Sequence, residues 1–308
     1  MEKQKTLVNA CEIQGKGLHT GKNVTLKFLP GVPNQGIVFK RVDQENHNTI
    51  RALADFVTET SRGTTISNEH ITVRTVEHLL AAISGMKIDN ITIELDSEEI
   101  PIIDGSADGY VRLLTDVGVV EQDAIRKVYT LNKKLEIFDA EKDVHITIEP
   151  CDELKISCTI DYKSHIIPPQ HVVMERIEDF NSGFAPARTF AFLHEIEPML
   201  KHGLIKGGDL QNAIIFIDHV ISDEEQQRLA EYFNMPDITV RAEGILNNVE
   251  LRFDNEPARH KLIDILGDLT LVGLPFTGHI IASRPGHKTN TDFAKMIRKY
   301  LLNGYDNG

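Results

Sequence analysis

Cysteines are scarce in this chain, and their spacing excludes a disulfide framework. The 308 residues include three cysteines, Cys11, Cys151 and Cys158, and no two of them form a CxxC pair. An odd and sparse count is typical of the reducing cytoplasm rather than of secreted, disulfide-stabilised proteins. We therefore interpret the three thiols as small packing residues and predict a cytoplasmic location.

Long apolar runs and an excess of positive charge are also missing. The opening residues MEKQKTLVNACEIQ contain no apolar signal core, and no uninterrupted apolar stretch reaches the roughly 18 residues of a membrane-spanning helix. The 33 basic and 46 acidic residues give a formal net charge of −13. We predict a soluble protein with no transmembrane segment and no nucleic-acid partner, in which an anionic ligand needs a local basic pocket.

Length and patterning predict two domains of the α+β class. A hydrophobic content of 41% and a charged content of 26% are ordinary for a soluble globular protein, and 308 residues are many for a single core. Strand and helix patterns alternate through the first part and begin again after the polar stretch EQDAIRK (121–127), which we interpret as a linker. The predicted domains are 1–125 and 126–308.

A weak internal repeat relates the two halves. In each half, an amphipathic helix with a histidine near its start is followed by a glycine and a strand, NITIEL (90–95) or GHIIAS (278–283). The repeat predicts two similar two-layer α/β sandwich domains, packed with their helices between two sheets and with the active site at the domain interface. Further strands are predicted at 25–29, 36–41, 70–75, 128–138, 144–149 and 154–162, and helices near 74–84, 108–117, 222–235, 255–271 and 291–302.

Two distant helices present metal-ligand side chains away from their apolar stripes. In TVEHLLAA (75–82), the helical period places His78 opposite the leucine-rich face. In RHKLIDILGDL (259–269), His260 and Asp264 are four residues apart and share the polar face, where small residues let another backbone approach. If the two polar faces meet across a cleft, these three side chains form a metal site with one coordination position open.

Neighbouring side chains add the elements of a hydrolase. Glu77 points about 100° away from His78, so it could take a proton from a water molecule that zinc activates. Lys261 lies beside the ligands, where it could meet a phosphate or a polarised carbonyl, and Asp268 could orient a catalytic imidazole. His287, on a glycine-containing turn after a strand, could protonate a leaving amine. Taken singly, a glutamate such as Glu77 is more often a helix-surface charge and a loop histidine such as His287 is more often solvated, and a solvated face of mixed charge would account for Lys261 and Asp268.

Eight sequence motifs spread over nearly the whole chain resemble those of one enzyme family. They are CEIQGKGLHTGK (11–22), GIVFKR (36–41), TTISNE (64–69), TVEHLLAA, IDNITIELDSEEIPIIDGSA (88–107), ARTF (187–190), RHKLIDILGDL and PGHKTN (285–290). The family is that of the zinc-dependent UDP-3-O-acyl-N-acetylglucosamine deacetylases, which act at the committed step of lipid A biosynthesis in Gram-negative bacteria. Its fold, two sandwiches with helices between two sheets, agrees with the internal repeat.

The resemblance also implies roles for individual residues. His78, His260 and Asp264 are implied as zinc ligands, and the same ligands suit ferrous iron. Four catalytic roles are implied: Glu77 as general base, His287 as general acid, Asp268 as the group that orients His287, and Thr189 as the partner of zinc at the oxyanion. Substrate contacts are implied for Lys261, Phe190, Phe192 and Arg284.

An insert and a fused partner are further implications of the resemblance. The apolar segment FAFLHEIEPMLKHGLI (190–205), broken by Pro198 and Gly203, begins a stretch at about 190–235 that matches the family's passage for the substrate's acyl chain. Arg284 and Pro285 stand where family members commonly have Lys-Ser. Some family members are fused to a dehydratase domain, so a fused or partner dehydratase is expected in full-length relatives, whereas the 308 residues here are expected to be too few to include one.

Three functional hypotheses follow from these observations. The first is zinc-dependent hydrolysis of the N-acetyl group of UDP-3-O-acyl-N-acetylglucosamine, which gives UDP-3-O-acyl-glucosamine and acetate. The second is a zinc amidase that acts on a different acylated sugar. The third is a nucleotide-binding or structural zinc protein without catalysis, which leaves Glu77, Thr189 and His287 without a shared purpose. We favour the first.

Overall fold

Two mixed sheets and the helices between them form the fold of the computed structural model, which describes residues 2–201, 205–233, 235, 238–240, 244–247 and 249–305. The apolar side chains of the helices share one core with the inner faces of both sheets. Within the described part of the chain, no helix is long and apolar enough to cross a membrane.

The first half is built around a five-stranded sheet with the order β2-β3-β9-β4-β5. A three-stranded sheet, β6-β7-β8, and the antiparallel pair β1-β10 complete it. Its elements are β1 (Lys3–Leu7), β2 (Cys11–Lys16), β3 (Asn23–Pro30), β4 (Ile37–Arg41), β5 (Thr49–Arg51), β6 (Val57–Glu59), β7 (Thr65–Ser67), β8 (Thr72–Val73), α1 (Glu77–Gly85), β9 (Ile91–Leu95), α2 (Asp108–Val117) and β10 (Val119–Ile125).

The second half is built around the strand order β12-β13-β18-β14-β15, with β11 paired to β18. Its elements are β11 (Tyr129–Thr130), β12 (Leu135–Asp139), β13 (Val144–Glu149), β14 (Leu154–Ile160), β15 (Gln170–Met174), α3 (Phe180–Gly183), β16 (Phe190–Phe192), α4 (Leu193–Lys201), β17 (Ile214–Phe216), α5 (Asp223–Tyr232), α6 (Glu256–Thr270), β18 (Phe276–Ser283) and α7 (His287–Tyr305).

The two main sheets share one topology, which confirms the predicted internal repeat and the α+β class. In each sheet the central strand, β9 or β18, follows the helix α1 or α6 along the chain. That strand pairs antiparallel with β3 or β13 on one side and parallel with β4 or β14 on the other. The division of the chain into domains 1–125 and 126–308 falls between β10 and β11 and stays a prediction.

Several element boundaries differ from those predicted. The stretch 121–127 is not a plain linker, because residues up to Ile125 continue β10, which pairs with β1 at the Lys3–Ile125 register. Its alternation of exposed and half-buried residues is that of a strand with one solvated face. The strand predicted at 70–75 is shorter than expected, because only Thr72 and Val73 form the strand β8. The last helix begins at His287, well before residue 291.

The insert near 190–235 forms a small layer of its own. Strands β16 and β17 pair in parallel, and α4 and α5 pack with them around a separate apolar cluster that includes Leu193 and Leu229. Ser222 caps α5 by accepting the N–H of Glu225, and the Glu225 carboxylate contacts His219. Pro198 lies inside α4, and Gly203 and Asn234 lie outside the described residues.

Helices α1 and α6 pack directly against each other, so α1 is buried on all sides rather than on its apolar stripe alone. Gly267 marks the closest approach of the two backbones. A Cβ atom added there would lie 2.0 Å from the carbonyl oxygen of Glu77. Because that neighbour is backbone, no side-chain rotation relieves the overlap. The glycine therefore sets the distance between the two helices.

We expect Gly267→Ala to destabilise the protein, against the usual trend for glycine in a helix. Alanine normally favours a helix over glycine by about 0.5–1 kcal/mol, but overpacking of a close contact costs about 1–3 kcal/mol. The free energy of unfolding in urea should therefore fall. Gly286→Ala is the matched control, because a Cβ atom there meets nothing within 4 Å. Equal stability of the two variants would contradict the argument.

Candidate metal centre and catalytic cleft

Three buried side chains from the two halves meet between α1 and α6. One ligand atom each from His78, His260 and Asp264 lies within 4.8 Å of the others. Asp264 Oδ1 is 3.5 Å from the Nε2 atom of each histidine, and the two imidazole rings meet edge to face at 4.7 Å. The structure thus brings together the three side chains that the helix-face argument selected.

The chemistry of this group fits a divalent cation. Asp264 Oδ1 is buried and has no hydrogen-bond partner among the described residues, a costly state for a carboxylate oxygen unless a cation accompanies it. The Nδ1–H of His260 donates to the carbonyl of Ala187 at 3.1 Å, which leaves Nε2 free to coordinate. Burial lowers the pKa of His260 to about 3, so its imidazole is neutral, as a metal ligand must be.

Lys261 forms an ion pair with the other carboxylate oxygen of Asp264. Its Nζ donates to Asp264 Oδ2 at 2.7 Å. Burial opposes both charges, but their mutual attraction outweighs it, so the pKa of Asp264 is held well below its usual range and the pKa of Lys261 is raised. The carboxylate is therefore ionised, with one oxygen paired to the lysine and the other directed at the two imidazoles.

Glu77 lies beside this group at the first position of α1 and is only 3% exposed. Its Oε2 accepts the backbone N–H of Thr64 at 2.9 Å. Gly63 packs against the other oxygen, since a Cβ atom added there would lie 3.0 Å from Oε1. Burial raises the pKa of Glu77, which makes the carboxylate a stronger base than an exposed glutamate.

His287 faces the same group from the second half. Its Nδ1–H donates to Asp268 Oδ2 at 2.9 Å, and its Nε2 lies 3.9 Å from Asp264 Oδ2. Burial alone would lower the pKa of His287, but the two aspartates raise it to about 9; a bound cation would oppose this rise. His287 is the first residue of α7 rather than part of a loop, so the helix start and Asp268 together hold the ring.

A cleft of about 560 Å³ opens over these residues. The predicted substrate contacts Phe190, Lys261 and Arg284 line it, as does Thr189, whereas Phe192 lies behind the wall with 6% of its surface exposed. The guanidinium of Arg284 is bonded to Asp143 at 2.9 Å.

Three features of the cleft were missed by sequence reasoning. Tyr162 meets the rings of Phe190 and Phe192, in each case with 5.6 Å between ring centroids. Arg62 and Glu195 form an ion pair at 3.2 Å and line the cleft from opposite halves. Thr64 bonds to Glu77 and Asp268. Thr64 lies in the quoted motif TTISNE, but nothing in the motif's spacing indicates its long-range contact.

Comparison with known proteins identifies the family of this chain. The model of the LpxC family, described as UDP-3-O-acyl N-acetylglycosamine deacetylase, matches residues 4–234 and 235–299. The chain belongs to this family. Three of the quoted motifs contribute to the cleft: TVEHLLAA carries Glu77 and His78, RHKLIDILGDL carries His260 and Asp264, and PGHKTN carries His287.

Individual LpxC-family relatives differ in length. The bifunctional enzyme LpxC/FabZ of Bacteroides thetaiotaomicron is 43% identical over 301 residues, which are 98% of this chain and 65% of the relative. The UDP-3-O-acyl-N-acetylglucosamine deacetylase of Myxococcus xanthus is 38% identical over 299 residues, 97% of this chain and 86% of the relative. That of Chlamydia pneumoniae is 38% identical over 303 residues, 97% and 98% of the two chains. The chain thus spans less than two thirds of the bifunctional relative.

Proposed function

We propose that this chain is a zinc-dependent deacetylase that hydrolyses the N-acetyl group of UDP-3-O-acyl-N-acetylglucosamine to UDP-3-O-acyl-glucosamine and acetate, the committed step of lipid A biosynthesis in a Gram-negative bacterium. The observation that carries the proposal is that Glu77 and His287 line the same cleft as one buried His-His-Asp group. The substrate is the one named for the relatives of Myxococcus xanthus and Chlamydia pneumoniae.

The metal site has the composition of a catalytic rather than a closed structural centre. His78, His260 and Asp264 would hold the cation with three protein ligands, which leaves a position for water or substrate. When bound, zinc lowers the pKa of water to about 7 and polarises a carbonyl oxygen. Ferrous iron suits the same imidazole and carboxylate ligands.

The surrounding residues supply the proton transfers of amide hydrolysis. Glu77, held by the Thr64 N–H and made more basic by burial, accepts the proton of the attacking water. His287, held by Asp268, carries a proton to the departing glucosamine nitrogen, which would otherwise leave as an anion. Thr189 lines the same cleft and would donate to the oxyanion, and Lys261 would add positive charge beside it.

The cleft also suits the two ends of the proposed substrate. In a chain with a net charge of −13, five cationic side chains line the cleft and would add positive charge near an anionic diphosphate: Arg62, Lys142, Lys261, Arg284 and Lys288. Four of them already pair with a carboxylate: Arg62 with Glu195, Lys261 with Asp264, Arg284 with Asp143 and Lys288 with Asp292. Phe190 and Tyr162 line the cleft next to the insert, with the buried Phe192 packed against Tyr162, and such an aromatic surface suits an acyl chain. We infer that the insert borders the acyl passage.

Location and partners follow from the same proposal. A UDP-linked substrate and three unpaired cysteines fit the cytoplasm. A fused or partner dehydratase is the remaining proposed partner, and the bifunctional LpxC/FabZ relatives support it.

We expect the purified protein to release acetate from UDP-3-O-acyl-N-acetylglucosamine and to contain a single metal ion per chain. Removal of the metal by a chelator should abolish turnover, because the protein residues alone cannot polarise the amide carbonyl as a cation does, and added Zn²⁺ or Fe²⁺ should restore it. Acetate assay and metal analysis on the same sample provide the measurement.

Competition between UDP-bearing and UDP-free acylated sugars separates this function from that of a zinc amidase with another substrate. Inhibition by the UDP-bearing analogue alone supports the proposal. Acetate release from a UDP-free sugar, with none from the UDP-linked one, would favour the second hypothesis. If the metal-loaded protein releases acetate from neither the UDP-linked nor the UDP-free sugar, the result would favour the third hypothesis, a zinc protein without catalysis.

A further inference from the structure

Thr64 lies between the acid and base residues of the two halves. It is fully buried just before β7, and its side chain and backbone contact different carboxylates. The backbone N–H donates to Glu77 Oε2 at 2.9 Å. The hydroxyl donates to Asp268 Oδ1, a residue more than two hundred positions away in the chain, and its oxygen is also 3.4 Å from His287 Nδ1.

The hydroxyl of Thr64 completes the hydrogen bonding of Asp268. Oδ2 of this fully buried aspartate accepts the Nδ1–H of His287 and the Nδ2–H of Asn290, each at 2.9 Å. Among the described residues, Thr64 Oγ1 is the partner of Oδ1. The carboxylate plane, and with it the direction of the imidazole, is therefore set by three donors from two segments of the chain, the start of α7 and the residue before β7.

The backbone around Thr64 holds it close to Glu77. Gly63 lacks the Cβ atom that would press on the Glu77 carboxylate, and it adopts a φ of +155°. The carbonyl of Thr64 accepts the N–H of Val76, which immediately precedes α1. The segment is thereby anchored to the start of the helix that carries Glu77 and His78. A shift of Thr64 would therefore change the positions of both Glu77 and the Asp268–His287 pair.

We propose that Thr64 is a positioning residue that holds the Glu77 carboxylate and the Asp268–His287 pair in one fixed arrangement across the interface of the two halves. The proposal rests on the proposed deacetylase function. Thr64 is neither in the lining of the cleft nor in the His-His-Asp group; it acts through Glu77 with its N–H and through Asp268 with its hydroxyl. Its loss should therefore reduce kcat rather than weaken substrate binding, because the hydroxyl affects only the groups that move protons.

Two substitutions separate the hydroxyl from the shape of the side chain. Thr64→Val keeps the shape and the N–H but removes the hydroxyl, and we expect kcat to fall roughly 10- to 100-fold with KM within about threefold of the wild type. Thr64→Ser keeps the hydroxyl and loses the methyl group, and kcat should stay within about threefold. Thr65→Val is the matched control, since this buried neighbour donates to neither Glu77 nor Asp268 in the described structure.

Metal content and thermal unfolding are measured on the same samples. All variants should bind the metal as the wild type does, and Thr64→Val should unfold cooperatively. If Thr64→Val does not fold, Thr64→Ala replaces it, because alanine and serine differ by a single oxygen and alanine introduces no clash.

The outcomes distinguish the positioning role from the function on which it rests. A low kcat for valine or alanine, with near-normal kcat for serine and normal metal content, supports the role. Normal kcat for valine with a low kcat for serine would show that packing matters and the hydroxyl does not, and would overturn it, as would parallel losses of kcat and metal. A wild-type protein that releases no acetate overturns both proposals; an active wild type with an equally active Thr64→Val overturns only this one.

Discussion

Replacement of Glu77 by alanine or glutamine removes most of the turnover while the metal stays bound. General-base catalysis contributes about 10²- to 10⁴-fold, so kcat should fall by a factor in that range. Glutamine is the sharper variant, because its amide oxygen still accepts the Thr64 N–H and fills the same buried space, yet it cannot take a proton. Alanine additionally leaves that N–H without its partner.

The measurement pairs kcat with metal content after exhaustive dialysis. Glu12→Gln, on the exposed side of β2, provides a control for loss of one carboxylate charge. Because Glu77 is not among the three converging ligand atoms, its replacement should leave the metal content near that of the wild type. Turnover close to normal in Glu77→Gln would remove Glu77 as the base, and loss of metal in that variant would make it a ligand instead.

Replacement of Asp264 by alanine should abolish both metal binding and turnover. Asp264 is the single anionic group among the three ligands, and its Oδ1 lies 3.5 Å from both imidazoles. Its loss also frees the buried ammonium of Lys261, which would then repel a cation in the same place. Removing one partner of a buried ion pair costs about 3–5 kcal/mol, so the free energy of unfolding should fall as well.

Asp264→Asn tests the charge without the change in size. Metal content is measured by elemental analysis and stability by the urea unfolding midpoint. Both should fall in Asp264→Ala and in Asp264→Asn. The control is Asp123→Asn, at a fully exposed position, which should resemble the wild type in both measurements. Retention of a full complement of metal by Asp264→Ala would refute the ligand assignment. A metal-free variant with unchanged stability would show that Lys261 finds another partner.

Helical periodicity predicted the facing sides of α1 and α6 that carry His78, His260 and Asp264, and the structure brings these three side chains together. A helix of known period places residues three and four apart on one face, so His260 and Asp264 could be paired from the sequence. The same reasoning predicted α6 at nearly its observed bounds, with Asn255 and Leu271 flanking the helix. Periodicity also predicted that α1 is buried on its apolar face alone. This prediction was wrong, because α6 covers the polar face of α1 and the helix is buried on all sides.

Residues whose role depends on distant contacts could not be recognised in the same way. The bond between Thr64 and Asp268 joins segments 204 positions apart, and no local pattern reports it. His287 looked like a loop residue because glycine and proline precede it, yet those residues lead directly into α7. Arg62 and Glu195 are each ordinary surface charges in the sequence, and they become a pair only when the insert folds against the first half.

The α+β class, the repeated order of strands and helices, and the helix faces that carry His78, His260 and Asp264 could all be predicted from the sequence. They follow from local periodicity, since the geometry of a helix or strand depends on residues a few positions apart. Three features required the folded structure: the close approach of α1 and α6 at Gly267, the Asp264 oxygen that has no hydrogen-bond partner among the described residues, and the contacts of Thr64 with both Glu77 and Asp268. These features result from packing between segments that are far apart in the chain. Local secondary-structure propensities carry no information about such packing.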